Sequence, residues 1–411
     1  MKIVDEIYPS DIKRTVGPAG TIKRLFSNRD YFARRGYEMR VFVPYIVKKG
    51  LLSHESQMHE MTELPLVSNN LKQKKGWKDL LKARKHSLVE SNRLTSAWAF
   101  HRYIKGVEKL VEDYIALDRH PDIIVFHDDI SCLFYHQKRK ETEAKLAMFI
   151  HGPGDDDNQF SQRRPVLIGT KEQDLNKEML VEAFACCDQV VWISRNGKRV
   201  FLENHPEHAG KTSVVVNGIN DMKHVDATPS TSHRYRMVTT GTVSKRKGQY
   251  IIVEAMHRMK KEILKDTHLT VMGIGPDYSD LLSKSESYGL SEHITFLGNV
   301  PNAEVHQHLC AENIFVLMSR NEGLPISVLE AMRAGLPVIS TKVDGIPEQV
   351  DERNGVLIDP DVDQLVEVLN RLPEYDWEKL GQGSRTRFVN EYTFDRMLRD
   401  YADMFDKLLE K

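Results

Sequence analysis

Short apolar runs recur along most of the chain, each separated from the next by a longer stretch of helical periodicity. In the first half they fall at residues 40–46, 123–127, 146–151, 189–194 and 213–217; in the second at 235–240, 269–272, 294–297, 314–318, 338–341 and 356–358. Runs this short and this uniformly apolar suit strands buried on both faces, as in a parallel sheet covered by helices. The alternation predicts the doubly wound α/β class. The series restarts after Asn217-Gly218, and residues 221–233, with Asp226, Pro229 and a Thr/Ser cluster, read as a linker. We therefore expect two Rossmann-like domains, over 1–220 and 221–390, and a terminal segment over 391–411. A chain of 411 residues is long enough for each domain to have its own core. No repeat of 20–50 residues is evident.

Composition narrows the function classes. Apolar residues make up 40% and charged residues 28%, the balance of a folded soluble protein. A net charge of −1 excludes a general polyanion binder, so charge recognition must come from local patches. The four cysteines, Cys132, Cys186, Cys187 and Cys310, form no Cys-x2-Cys pair and are expected as buried free thiols in a reducing compartment. The start Met1-Lys2-Ile3-Val4 carries no signal-peptide pattern, and no run of 18 apolar residues occurs. The expected location is cytoplasmic, with peripheral contact at the inner face of a membrane. For that contact the candidate is residues 72–85, where Lys72, Lys74, Lys75, Lys78, Lys82, Arg84 and Lys85 surround Trp77, Leu80 and Leu81. Such a segment would lie on anionic lipid or form a solvated helix face packed on the protein. No nucleic-acid motif accompanies it, so nucleic acid is not expected as a partner.

The most informative string runs from Ser319 to Ile339. After the apolar run 314–318, Gly323 frees the backbone in a turn, and Pro325 suits a first helical position, where its missing N–H costs nothing. Gly335 and Pro337 stop the helix. The helix start, Glu322 to Ile326, offers free amides and partial positive charge to a phosphate. Gly323, Leu324, Pro325 and Ile326 are the residues at that start. Glu322 and Glu330 flank it with acceptor-only groups. Either Glu alone would pass as an ordinary helix residue. Together they suit a ligand anionic at one end and rich in hydroxyls elsewhere, as a sugar nucleotide is.

Other motifs stand at predicted strand ends, where doubly wound folds bind ligands. They are the loop Thr15-Val16-Gly17-Pro18-Ala19-Gly20 before a helix expected over 21–35, and His151-Gly152-Pro153-Gly154. In the second half come Gly241-Thr242-Val243-Ser244-Lys245-Arg246-Lys247-Gly248, Gly273-Ile274-Gly275-Pro276 and Phe296-Leu297-Gly298-Asn299-Val300. Each alone reads as an ordinary turn. The acidic run Asp155, Asp156, Asp157 reads as an exposed loop, and no metal is expected.

The string from Glu322 to Glu330 resembles the Glu-x7-Glu signature, with its Glu-Gly-x-Pro start, of retaining glycosyltransferase family 4, whose members have the GT-B fold of two Rossmann-like domains facing a cleft. The resemblance is specific from Met237 to Asp359 and weak before His151. It implies that the first domain binds the acceptor, that the second binds the donor, and that a last helix, about 395–409, crosses back. It implies a catalytic set of His151, Glu322, Lys247 and Arg246, with His151 and Glu322 near the donor sugar. The diphosphate would meet Gly17, Gly20, Gly241, Thr242, Arg246 and Lys247; the family commonly has Arg where this chain has Thr242, and Arg246 would supply the missing charge. Gly275, Asn299 and Val300 would lie by the nucleotide, with the last two reading the base edge, and Glu330 would hold the ribose hydroxyls.

The expected function is transfer of a sugar, with retention, from a nucleotide-sugar donor, UDP-linked, to a hydroxyl of a glycan, lipid-linked or protein acceptor in bacterial cell-surface glycan synthesis. The sugar nucleotide is a substrate, and no cofactor is expected. The alternatives are a UDP-sugar 2-epimerase of the same fold and a non-catalytic glycosyltransferase-like chaperone subunit. A nicotinamide dehydrogenase is disfavoured because no Gly-x-Gly-x-x-Gly opens the first domain.

Overall fold

The computed structural model describes residues 1–10, 18–49, 54–62, 92–139, 142–155, 160–161, 164–223 and 225–410. They form two compact units, Met1–Val216 with Leu398–Lys411, and Asn217–Met397. The division differs from the expected boundaries at 220 and 390.

The first unit is built on a sheet of β1 (Lys2–Ile7), β2 (Tyr37–Lys49), β3 (His54–Glu60), β4 (Ile123–Phe126), β5 (Lys145–Ile150), β6 (Gln189–Trp192) and β7 (Thr212–Val214), in the order β3-β2-β1-β4-β5-β6-β7. Every pairing is parallel except β2 with β3. The second sheet has β8 (Tyr235–Thr240), β9 (Thr267–Met272), β10 (Ile294–Gly298), β11 (Ile314–Leu317), β12 (Val338–Thr341) and β13 (Gly355–Ile358), all parallel, in the order β10-β9-β8-β11-β12-β13. Each expected apolar run corresponds to one of these strands. Their side chains form a separate core in each unit, one around Phe126, Met148 and Trp192, the other around Met237, Val271 and Val316.

Two strands were not expected, β1 and β3. The sequence of β1, Lys-Ile-Val-Asp-Glu-Ile, looks too charged for a central strand, yet Asp5 and Glu6 are both fully buried. Successive side chains of a strand point to opposite faces, so each acid needs its own partners. Asp5 takes Arg40 Nε at 2.6 Å and Nη2 at 3.0 Å, and the Tyr114 hydroxyl at 2.6 Å. Glu6 faces His127.

Other expectations need correction. The helix expected over 21–35 starts at Pro18 and breaks at Asn28, giving Pro18–Ser27 and Arg29–Arg34. Gly20 is therefore a buried helical residue, not part of a phosphate-facing loop, because Pro18 opens the helix before it. Gly17, Asp156, Asp157 and residues 72–85 lie outside the described residues. The segment 221–233 is no free linker: Asp221 binds Arg385 at 2.6 and 2.8 Å, and Ser230 donates to Glu312 at 2.9 Å. The cysteines are free, but Cys186 and Cys310 are only partly buried. Among the described residues no helix is long and apolar enough to cross a membrane.

Candidate functional site

The loop after β11 and the helix Ile326–Arg333 organise the second unit's candidate site. Pro325 is the N-cap, one position before the expected one, with ψ at 120°. An extended ψ there ends the loop and leaves Ile326 to begin the helix. Gly335, at φ +77°, closes it as expected. The N–H of Glu322 is not free as expected, since it donates to Asp344 Oδ2 at 2.7 Å. No described residue accepts from the backbone N–H of Gly323 or Leu324. Asp344 adopts φ +49°, an unusual conformation for a residue with a side chain, beside the site.

Glu322 is buried and its carboxylate is committed. Oε1 accepts from Lys247 Nζ at 2.6 Å and from Ser319 Oγ at 2.7 Å, with Arg246 Nη1 at 3.6 Å. Burial alone would raise this carboxyl, but Lys247 and Arg246 outweigh it and hold it below the usual range. Lys247 has only 12% of its side chain exposed. An ammonium has three donors, so this one is fixed by Glu322 while further donors are left for a second acceptor. Arg246 is half-exposed and donates to the Asn321 carbonyl at 2.7 Å. Thr242 is exposed, and its carbonyl accepts from Gln249 Nε2 at 3.2 Å.

Close backbone approach holds the surrounding turns. Gly248, at φ +71°, opens the helix Gln249–Arg258, and a Cβ there would stand 1.8 Å from the Met318 carbonyl oxygen. This clamps the Lys247 loop onto the end of β11. A Cβ at Gly275 would stand 2.1 Å from the Val243 oxygen. The turns after β8, β9 and β10 are thereby stacked: Gly241 N–H donates to Met272 and Gly273 N–H to Gly298. Asn299 and Val300 follow β10, the first exposed and the second partly so. Glu330 is partly buried in the fifth position of its helix. Thus Lys247, Arg246, Glu322 and the helix start are brought together by contacts. Gly241, Thr242, Gly275, Asn299 and Val300 share the strand-end rim of the same sheet.

In the first unit His151 follows β5 and is partly exposed. Its Nε2 lies 2.9 Å from His127 Nδ1, and His127 Nε2 lies 2.6 Å from Glu6 Oε2. Sequence reasoning singled out neither Glu6 nor His127. A signal existed for His127, which ends a strand just as His151 does. Ser319 and Asp344 were also missed; nothing in their local sequence marks them.

Residues 223–387 match the family model described as glycosyl transferases group 1. A phosphatidylinositol N-acetylglucosaminyltransferase component from Arabidopsis thaliana is 26% identical over 57% of this chain and 53% of its own, so the chain spans about half the length of that relative. Among solved structures, sucrose-phosphate synthase from Thermosynechococcus elongatus superposes with a TM-score of 0.71 at 17% identity, over 100% of both chains. Anabaena Alr3699/HepE in complex with UDP-glucose gives 0.66 at 15% identity, over 99% of this chain and 100% of that one. At such identities the likeness shows the fold, which is GT-B.

Proposed function

We propose, from the match of residues 223–387 to the glycosyl transferases group 1 model, that this chain transfers a hexose, with retention, from a nucleotide-sugar donor to a hydroxyl of a glycan or lipid-linked acceptor. The observation that carries the reading is the Lys247–Glu322 pair, 2.6 Å long, beside Arg246 at the start of the helix Ile326–Arg333. A buried carboxylate holds the ammonium in one place, and a leaving diphosphate is what two cations and a helix start would stabilise. Glu330, on the same helix, takes the ribose hydroxyls. Asn299 and Val300 meet the base. Among the described residues no side chain at this site is placed as a nucleophile; in this reading the acceptor hydroxyl attacks on the face the diphosphate leaves, and a phosphate oxygen takes its proton. UDP as the nucleotide draws support from the HepE complex named above. His151, at a strand end of the first unit, contacts the sugar, and the acceptor docks on that unit.

The test is a panel of UDP- and GDP-sugars offered to the purified protein, with the anomeric configuration of the released or transferred sugar followed by NMR. Release of UDP with an α-configured product supports the proposal. Turnover of GDP-sugars alone would replace the nucleotide; exchange at C2 without transfer would make the chain an epimerase.

A further inference from the structure

Behind His151 the first unit holds a chain of three titratable side chains, Glu6, His127 and His151, linked end to end at 2.6 and 2.9 Å. Glu6 and His127 are buried; the rings of Phe149 and Tyr8 pack on His127, and Tyr401 stacks on Phe149 with centroids 4.9 Å apart. Both ring nitrogens of His127 are engaged, so a neutral His127 must donate through one and accept through the other. The proton on Glu6 decides which. If Glu6 is the acid, it donates to His127 Nε2, His127 Nδ1–H donates to His151 Nε2, and His151 carries its own proton on Nδ1. If Glu6 is the carboxylate, every bond reverses, and His151 presents a lone pair at Nδ1. No described residue hydrogen-bonds His151 Nδ1.

The surroundings select the acid. Glu6 Oε1 is buried and has no hydrogen-bond partner among the described residues. A carboxylate with one dry, unpaired oxygen is costly, whereas an acid leaves only a neutral carbonyl unpaired there. Asp5, the neighbouring residue on β1, adds repulsion. Burial, then Asp5, pushes the Glu6 carboxyl well up. Burial lowers His127 to about 3, and burial, His127 and Arg24 together lower His151. The Tyr401 hydroxyl, also buried, has no hydrogen-bond partner among the described residues and brings no charge.

We propose that Glu6 and His127 are positioning residues that hold His151 as the Nδ1–H tautomer, so that it offers a sugar hydroxyl or phosphate oxygen a hydrogen-bond donor rather than a lone pair. The inference rests on the sugar-contacting role proposed above for His151.

Two readouts on the full chain test it. Two-bond ¹⁵N–¹H correlation spectra of ¹⁵N-histidine protein, assigned with His151→Ala and His127→Ala, report the tautomers directly. His127 and His151 are both expected protonated on Nδ1. Glu6→Gln, whose amide donates without charge, keeps this pattern and holds kcat within about threefold of the wild type. Glu6→Leu removes the donor, mixes the tautomers and lowers kcat on UDP-glucose about tenfold, the loss of one hydrogen bond, with KM changed less. His151 protonated on Nε2 in the wild type overturns the proposal, as does a Glu6→Gln protein with the reversed pattern. If Glu6→Leu fails to fold, the wild-type and Glu6→Gln spectra still decide. If no sugar nucleotide is turned over at all, the proposed function falls while the spectra still judge the relay.

Discussion

At the scale of single residues, the second unit's site depends on one ion pair seated away from water. Lys247 and Glu322 are each mostly buried, and neither can lose its partner without leaving a charge in a poorly solvated place. Under the proposed function, negative charge grows on the departing phosphate oxygen, so the Lys247 contact strengthens as the sugar leaves and its loss falls on turnover more than on binding. Lys247→Ala is expected to lower kcat about 100- to 1,000-fold, the usual cost of one such stabiliser, with a smaller change in KM. Arg246→Ala is expected to lower kcat as well, since Thr242 brings no charge. Steady-state kinetics of both variants, with thermal melts as the control for folding, would check this; wild-type turnover in Lys247→Ala would remove the assigned phosphate site. These residues were legible in the sequence because they sit in loops punctuated by glycine next to apolar strands. Glu6 was not, because two adjacent acids disguise β1 as a surface segment. The burial of the two acids makes sense only once Arg40 and Tyr114 are known to face Asp5, and His127 to face Glu6, all distant in the chain.

Elements were legible in proportion to how uniformly buried they are. Strands covered on both faces, such as β8 and β12, were bounded correctly from their apolar runs. β3 was missed because it pairs on one edge only, and its sequence, His-Glu-Ser-Gln-Met-His-Glu, has no apolar alternation. The break at Asn28 was illegible for a different reason: its side chain donates to the Arg24 carbonyl at 2.8 Å, a local competition that propensity does not reveal. Between elements, Asp351 is a junction. It lies in the turn before β13, accepts from Arg387 of the helix Trp377–Glu391 at 2.7 Å, and also holds Arg353. The Arg353 hydrogen bond, with Arg387 nearby and against some burial, lowers its carboxyl from 3.8 to about 2. The folded value lies below the unfolded one, so this junction stabilises fully above about pH 4 and its contribution fades as pH falls toward 2. Chemical denaturation between those pH values should show the wild type losing more stability than Asp351→Asn. Parallel curves for the two proteins would mean the junction carries no such linkage.

For the whole molecule, the first unit is assembled from two separated pieces of chain. Its last piece is held by apolar packing and by charge. Phe405 is fully buried with ring centroids 5.9 Å from Phe32 and 5.3 Å from Tyr37, while Arg35 reaches Asp403 at 2.9 Å and Asp406 at 2.8 Å. The surface ion pairs contribute little; the aromatic core contributes most. Phe405→Ala is expected to destabilise the first unit by about 3–5 kcal/mol and the second far less, read as one of two unfolding transitions moving in calorimetry. An unmoved first transition would mean that the terminal piece is only an appendage.

This arrangement also orders events in time. The second unit, Asn217–Met397, is continuous and is complete before the segment from Leu398 onward is made. The first unit leaves the ribosome earlier but lacks Tyr401 and Phe405 until the whole of the second unit has been made. Its surface at Phe32 and Tyr37 is open throughout the synthesis of everything between. During that interval a nascent chain presents apolar rings to the cell, so the half made first is the half completed last and the one that chaperones have longest to meet.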